Sequence, residues 1–258
     1  PRWTNSGIKL NTMDDASHPR VCRSDSSGGA QVTWQQPDAD GEPEVWYAKL
    51  SPVGVYVYRA RVDHGRKPVI AYADRTFGSP VQNSTYPAYI GLIPSTLGMQ
   101  IRAWDGSNWA LARANSRIDY DTLLIDATAD GAFFMAGWEF GTFAELQVTW
   151  GTTGSISLLP QFTAPVSDIG IGGCAIAADV AGTSGAPASR GGFVVYSADI
   201  LGNDRYDLYA HHIRSGGNAI GLDWQITMSL QGDVGATHPA MCPDSSINAS
   251  GYGGMLLV

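Results

Sequence analysis

Residues 17–22 read SHPRVC and are followed, after a polar turn, by GGAQVTW at 28–34. The same pattern returns as THPAMC at 237–242, followed after a longer polar turn by GGMLLV at 253–258. The cysteines of the two copies lie 220 residues apart, which is four times 55. This spacing predicts a repeat protein with further copies at intervals of about 55 residues.

Weaker copies of the same unit fill the rest of the chain. Each unit has a short apolar strand, a polar turn, a second strand ending in an aromatic residue, and two further strands, the last entered near a tryptophan. The aromatic residues assigned to the end of the second strand are Trp34, Tyr72, Trp138 and Tyr196. The predicted repeats are 17–54, 55–118, 119–166, 167–236, and 237–258 completed by 1–16.

The composition is typical of a turn-rich, strand-rich globular protein. The 258 residues are 44% apolar and 16% charged, with 31 glycines, eight tryptophans and eleven tyrosines. A chain of this length can bury a large core as one domain. We therefore expect a single all-β domain spanning residues 1–258.

This arrangement of four-stranded units resembles β-propeller repeats, in which sheets placed radially bury each other's faces. The resemblance is to an architecture, not to one family. We expect five blades, with residues 3–10 forming the outer strand of the blade that 237–258 begins. A fragment of a propeller with six to eight blades is one alternative. In another, a second chain, such as a copy of this protein, fills the unfinished terminal blade.

Charge and hydropathy exclude several classes of partner. The net charge is −8 and no cluster of Lys and Arg is visible, so nucleic acid is not an expected partner. No apolar run approaches the ~18 residues that span a bilayer. Low lysine content and the sequons at Asn83 and Asn248 favour a secreted glycoprotein.

The two cysteines of the opening pattern, Cys22 and Cys242, occupy equivalent positions in the first and last units. In a closed five-bladed ring these units are neighbours, so a disulfide could hold the ring together. The alternative is that they are buried apolar thiols. No CxxC spacing occurs, and neither a metal nor a cofactor is predicted.

His18 and His238 also occupy equivalent positions, at the mouths of the inner strands. Two neighbouring histidines near an acidic side chain such as Asp14 could bind a cation or a polar ligand. The alternative is that each His-Pro pair sets the turn into its strand.

Three tryptophans outside the repeated aromatic position are candidates for stacking on a sugar ring: Trp46, Trp104 and Trp109. A sialidase-like site would need several arginines converging on a carboxylate. The candidate arginines for that role are Arg59, Arg61 and Arg102.

Glycoside hydrolysis requires two carboxyl groups across one pocket. The candidates are Asp14, Asp121 and Glu139, near strand starts or blade mouths. The segment DADG at 38–41 begins like a calcium loop but lacks the later oxygen ligands, so it is interpreted as a turn.

These observations favour a secreted, non-catalytic β-propeller that acts as a binding or assembly module for glycans or other protein chains. The alternative is a propeller-fold glycoside hydrolase or sialidase-like enzyme that uses axial carboxylates.

Overall fold

The structure is a computed structural model that describes residues 7–24, 28–72, 88–95, 98–104, 107–115, 122–127, 133–138, 146–151, 171–178, 191–198, 207–214, 224–225, 240–244 and 254–257. All regular structure in these ranges is β-strand. No helix in the described part of the chain is long and apolar enough to cross a membrane.

Seventeen strands form five antiparallel sheets within the described residues, each built from strands consecutive in the chain. The first sheet contains β1 (Ser17–Arg23), β2 (Ala30–Pro37), β3 (Pro43–Leu50) and β4 (Tyr56–His64). The second contains β5 (Arg66–Tyr72), β6 (Ala88–Ile93), β7 (Met99–Trp104) and β8 (Trp109–Asn115).

The remaining sheets follow the same order. The third contains β9 (Thr122–Ala127), β10 (Phe133–Trp138) and β11 (Leu146–Gly151). The fourth contains β12 (Ile171–Ala178), β13 (Gly191–Ala198), β14 (Asp207–Arg214) and β15 (Trp224–Gln225). The fifth contains β16 (Met241–Asp244) and β17 (Gly254–Leu257).

The first strands of successive sheets contact one another in chain order. β1 contacts β5, β5 contacts β9, β9 contacts β12, and β12 contacts β16. Each first strand is therefore the inner strand of its sheet, and the later strands lead outward. This is the arrangement of propeller blades, and the predicted all-β architecture of four-stranded antiparallel sheets is confirmed.

Two clusters of the core lie between the faces of neighbouring sheets. Strand alternation sends Val45 and Tyr47 of β3 against Ile70, Ile90 and Leu92 of the second sheet. A second cluster joins β5, β6 and β7 to Leu123 of the third sheet. Because each cluster contains residues of two adjacent sheets, the core forms from neighbour contacts along the series.

The predicted boundary between the first two repeats was wrong. A second repeat that starts at residue 55 and whose second strand ends at Tyr72 predicts an inner strand over 55–62, but β4 pairs with β3 and is the outermost strand of the first sheet. The inner strand of the second sheet is β5, which pairs with β6. Tyr72 consequently lies on a first strand, not at the second-strand position that Trp34, Trp138 and Tyr196 share.

Only Gly65 separates β4 from β5. Its N–H donates a hydrogen bond to the carbonyl oxygen of Pro43, at 2.8 Å. A Cβ atom at this position would lie 2.7 Å from Cδ1 of Leu92 and 2.8 Å from the oxygen of Ile93. The link between the two sheets is therefore one buried residue held by both of them.

The described part of the predicted N-terminal strand is not a strand. Residues 7–10 have no strand conformation, and Gly7 has a φ of +71°, which is incompatible with a β-strand. The carbonyl oxygen of Lys9 accepts a hydrogen bond from the hydroxyl of Tyr56, at 2.5 Å. Leu10 packs against the first sheet near Trp34 and Leu50.

The tryptophan that enters the outermost strand is confirmed in two sheets. Trp109 begins β8 and Trp224 begins β15, and each is the first residue of a fourth strand. The outer strand predicted over residues 3–10 begins at Trp3, which lies outside the described residues.

Candidate functional site

The face of the first sheet that points away from the second sheet carries an unusual group of side chains, which we call the first-sheet cluster: Trp34, Glu44, Trp46, Arg59 and Arg61. Three neighbouring strands supply these residues. Trp34 is directly opposite Trp46, and Trp46 is opposite Arg61 on β4. Because cross-strand partners point to the same face, these side chains lie together.

The turn at residues 38–42 sets this register. Oδ1 of Asp38 accepts hydrogen bonds from the backbone N–H groups of Asp40 and Glu42, at 2.8 and 2.9 Å. The backbone N–H of Gly41, whose φ is +86°, donates to the carbonyl oxygen of Asp38 at 3.2 Å. The interpretation of this segment as a turn is confirmed.

The two indoles of the first-sheet cluster lie nearly parallel, with centroids 6.4 Å apart and an interplanar angle of 20°. The guanidinium of Arg59 lies over both rings, 5.8 Å from the Trp34 centroid and 5.1 Å from the Trp46 centroid. Cation–π contacts of this kind contribute about 0.5–2 kcal/mol. Nε and Nη2 of Arg59 are buried and have no hydrogen-bond acceptor among the described residues.

Glu44 is the acidic centre of the cluster. Its side chain is 8% exposed; Oε1 accepts a hydrogen bond from Nη1 of Arg61 at 2.7 Å, and Oε2 accepts one from Nε1 of Trp46 at 3.1 Å. The hydrogen bond to Glu44, and then its negative charge, raise the pKa of Arg61. The side chain of Arg61 is 54% exposed, so this ion pair extends from the buried face into solvent.

Gln36 holds the buried indole in place. Its Oε1 accepts a hydrogen bond from Nε1 of Trp34 at 3.0 Å, and its Nε2 donates to Oγ1 of Thr12 at 3.0 Å. The N-terminal segment is thereby attached beside the cluster. Trp34 is buried, whereas Trp46 is partly exposed, so Trp46 is the ring of this pair that a ligand can reach.

The other two candidate tryptophans lie elsewhere. Trp104 and Trp109 pack with Tyr47 and Tyr58 between the outer strands of the first two sheets, with ring centroids 4.7–6.3 Å apart. Arg102, on the same side of β7 as Trp104, forms an ion pair with Asp63 of the first sheet. These rings contact each other in the sheet interface, and the sugar-stacking role predicted for them stays a prediction.

His18 lies in an irregular part of β1, where the pairing with β2 shifts between Ser17 and Arg20. It has a φ of +51°, and its Nδ1 lies 3.1 Å from Oγ of Ser17. Its partly covered ring is desolvated, and Lys67 and Arg20 add positive charge, so the pKa of His18 is lowered. These surroundings disfavour a cation at His18, and its predicted partner His238 lies outside the described residues.

The lowered pKa of His18 predicts a loss of stability in acid. Below its ordinary value of 6.5 the unfolded chain binds a proton that the folded chain resists, so protonation favours unfolding. We expect the urea midpoint of the wild type to fall more than that of His18→Gln as the pH drops from 8 to 5. Lys67→Gln should reduce the difference, because it removes one of the repelling charges. Equal falls in all three proteins would contradict the assignment.

The other predicted site residues are only partly described. Asp14 is exposed on the N-terminal segment. Cys22 packs against the cluster between the first and second sheets. The remainder lie outside the residues whose side chains are described: Asp121, Glu139, Asn83, Asn248 and Cys242. The catalytic pair, the disulfide and the use of the sequons therefore stay predictions.

Sequence reasoning selected Trp46 but missed its partner Glu44 and gave no particular weight to Arg59 and Arg61. One available signal was symmetry about the turn. Trp34 and Trp46 each lie six residues from Asp40, so a hairpin centred there places them opposite each other. The spacing of Arg59 and Arg61 puts both on one face of a strand. Neither signal identifies that face without the pairing of β3 with β4.

No protein-family model and no curated protein matches the chain. Among solved structures, it is similar to a mutant of the Aleuria aurantia lectin in complex with alpha-methyl-L-fucoside, with a TM-score of 0.48 and 10% identity over 89% of this chain and 68% of that one. It is also similar to AofleA from Arthrobotrys oligospora, with a TM-score of 0.44 and 10% identity over 83% and 58% of the two chains.

Proposed function

We propose that this protein binds glycans without cleaving them, and that the first-sheet cluster holds one sugar residue. The observation that carries the proposal is that an indole pair, a stacked arginine and a glutamate–arginine pair share one face of one sheet. Binding sites for small ligands typically combine aromatic surface with a few fixed polar groups.

The polar groups match the two kinds of hydrogen bond that a sugar makes. Glu44 accepts hydrogen bonds, and Arg59 and Arg61 donate them. The carboxylate of Glu44 is already oriented by Trp46 and Arg61. A group fixed in this way loses little conformational freedom when a hydroxyl binds to it.

Arg59 adds a further reason to expect a ligand. A buried donor that lacks an acceptor is uncommon in folded proteins, because leaving it unsatisfied costs about 1–3 kcal/mol. Two nitrogens of Arg59 are in this condition among the described residues, directly above the two indoles. A sugar hydroxyl or ring oxygen would supply the missing acceptor, while the partly exposed ring of Trp46 contacts the apolar face of the sugar.

The test is a glycan array probed with the wild-type chain, followed by titration of the best ligand. We expect Trp46→Ala and Arg59→Ala each to weaken binding by about tenfold or more, as the loss of an anchor residue does. Glu44→Gln keeps the shape of the side chain and should also weaken binding, because it loses the charge that orders Arg61.

Leu111→Ala is the matched control, since Leu111 is exposed on the second sheet and lies outside the cluster. It should bind like the wild type. Silence of the wild type across the array would reject the glycan proposal, and equal binding by Trp46→Ala would reject this site. Release of free sugar during the titration would favour the hydrolase alternative.

We also propose that the protein is secreted and that it binds partner protein chains. A secreted glycan-binding protein is consistent with the two sequons, and a partner chain could bind at the terminal unit as predicted above. Both ideas are open to direct measurement, by glycan mass analysis of the protein from a eukaryotic host and by its mass in solution.

A further inference from the structure

Asp38, Glu44 and His64 come together at the end of the first sheet. Asp38 follows β2, Glu44 is the second residue of β3, and His64 is the last residue of β4. One potential ligand atom from each lies within 4.8 Å of the other two. Nδ1 of His64 and Oδ2 of Asp38 are 3.9 Å apart. We propose that these three side chains form a binding site for a divalent transition-metal ion of the zinc class.

The geometry fits such an ion with a small adjustment. Zinc is bound by imidazole nitrogen and carboxylate oxygen at about 2.0–2.2 Å, so two ligands in a tetrahedral site are separated by about 3.4 Å. The three side chains must therefore approach one another by up to about 1.4 Å. His64 can move, because 47% of its side chain is exposed at the surface.

Each carboxylate retains an oxygen lone pair for the metal. Asp38 uses Oδ1 for the backbone of its turn, which leaves Oδ2 facing His64. Glu44 accepts one hydrogen bond at each oxygen, and a carboxylate oxygen has two acceptor sites. Arg61 and Trp46 would then orient the metal-binding carboxylate from behind.

The charges and the donor types also favour a transition metal. Asp38 and Glu44 together outweigh the single charge of Arg61, and Asp40 and Glu42 add negative charge on the adjacent turn. An imidazole ligand suits zinc, copper or nickel, whereas calcium and magnesium prefer oxygen ligands alone. The site shares Glu44 with the first-sheet cluster. Its test uses the metal alone, without glycan, and changes Asp38 and His64, which lie outside that cluster, so the outcome does not depend on the proposed function.

The experiment is calorimetric titration of the full chain with ZnCl₂, with CaCl₂ as the comparison ion. We expect a zinc component that His64→Ala and Asp38→Asn each weaken by about tenfold or more. Asn keeps the Oδ1 acceptor that the turn requires, so Asp38→Asn should remain folded, as circular dichroism can verify. Zinc binding by other histidines would be the same in the wild type and in His64→Ala, so the difference between the two titrations measures the contribution of His64.

Glu42→Gln is the matched control, because it removes one charge from the same turn without removing a proposed ligand. Zinc binding within about twofold of the wild type in Glu42→Gln, with losses in the other two variants, supports the site. The proposal fails if Glu42→Gln weakens binding as much as Asp38→Asn, if His64→Ala binds zinc like the wild type, or if calcium binds as tightly as zinc.

Discussion

Replacing Gly29 by alanine is expected to reduce the free energy of unfolding by about 3 kcal/mol or more. Gly29 has a φ of +95°, and a Cβ atom there would lie 2.3 Å from the carbonyl oxygen of Leu50 and 3.1–3.2 Å from backbone atoms of Ser51 and Pro52. All three contacts are with backbone, so no side chain can turn away to relieve them. The connection from β3 to β4 must therefore shift.

Gly41→Ala is the control that introduces backbone strain without a steric clash. Gly41 also has a positive φ, +86°, but a Cβ atom there meets nothing within 4 Å. Replacing Gly41 by alanine should lower the free energy of unfolding by only about 1 kcal/mol, the usual penalty for alanine at a positive φ. Urea unfolding of both variants gives the comparison. A loss in Gly29→Ala no larger than that in Gly41→Ala would contradict the close approach of the β3–β4 connection.

Leu92→Ala is expected to lower the free energy of unfolding by about 3 kcal/mol, within the range of about 2–5 kcal/mol found when buried leucines are truncated. Leu92 is 0% exposed and lies between the first two sheets with Val45, Tyr47, Ile70 and Ile90. Because both sides of this cluster belong to continuous sheets, neither can move in to fill the cavity without disturbing its own strand pairing.

Leu111→Ala is the corresponding control within the second sheet, where Leu111 is 52% exposed. It should change stability by no more than about 0.5 kcal/mol. The measurement is again the urea midpoint, together with the slope of the transition. Similar losses in the two variants would mean that the interface between the first two sheets does not contribute the expected share of stability.

The repeat could be predicted from the sequence because it is local. In the third unit a short segment containing Gly131 separates two apolar runs, and in the fourth unit a longer segment rich in glycine, alanine and serine does so. β9 pairs with β10, and β12 pairs with β13, as this pattern predicts. The position of the tryptophan that enters β8 and β15 is likewise a property of one strand.

The boundary near residue 65 could not be predicted in the same way. The segment from Asp63 to Lys67 has the composition of a hairpin turn, and apolar strands flank it. Only the pairing of Tyr56–His64 with Pro43–Leu50 shows that the chain changes sheets here. That choice depends on packing between distant residues, and the local sequence has no signal for it.

The candidate site shows the same division. A tryptophan with a possible ligand role, Trp46, could be selected from its position in the repeat. The selection of Glu44 and Arg61 requires the register of three strands, because their contact crosses from β3 to β4. Single strands can be predicted from the sequence, whereas the combination of side chains that share one face of a sheet cannot.

The single residue between β4 and β5 has a mechanical consequence. Because Gly65 is the whole connection, no flexible loop joins the outermost strand of the first sheet to the inner strand of the second. A load applied to β4 is therefore passed directly to β5 and cannot be absorbed by a loop. The first two sheets should accordingly yield as one unit under force, and a chain break or peptide insertion at residue 65 should disrupt both.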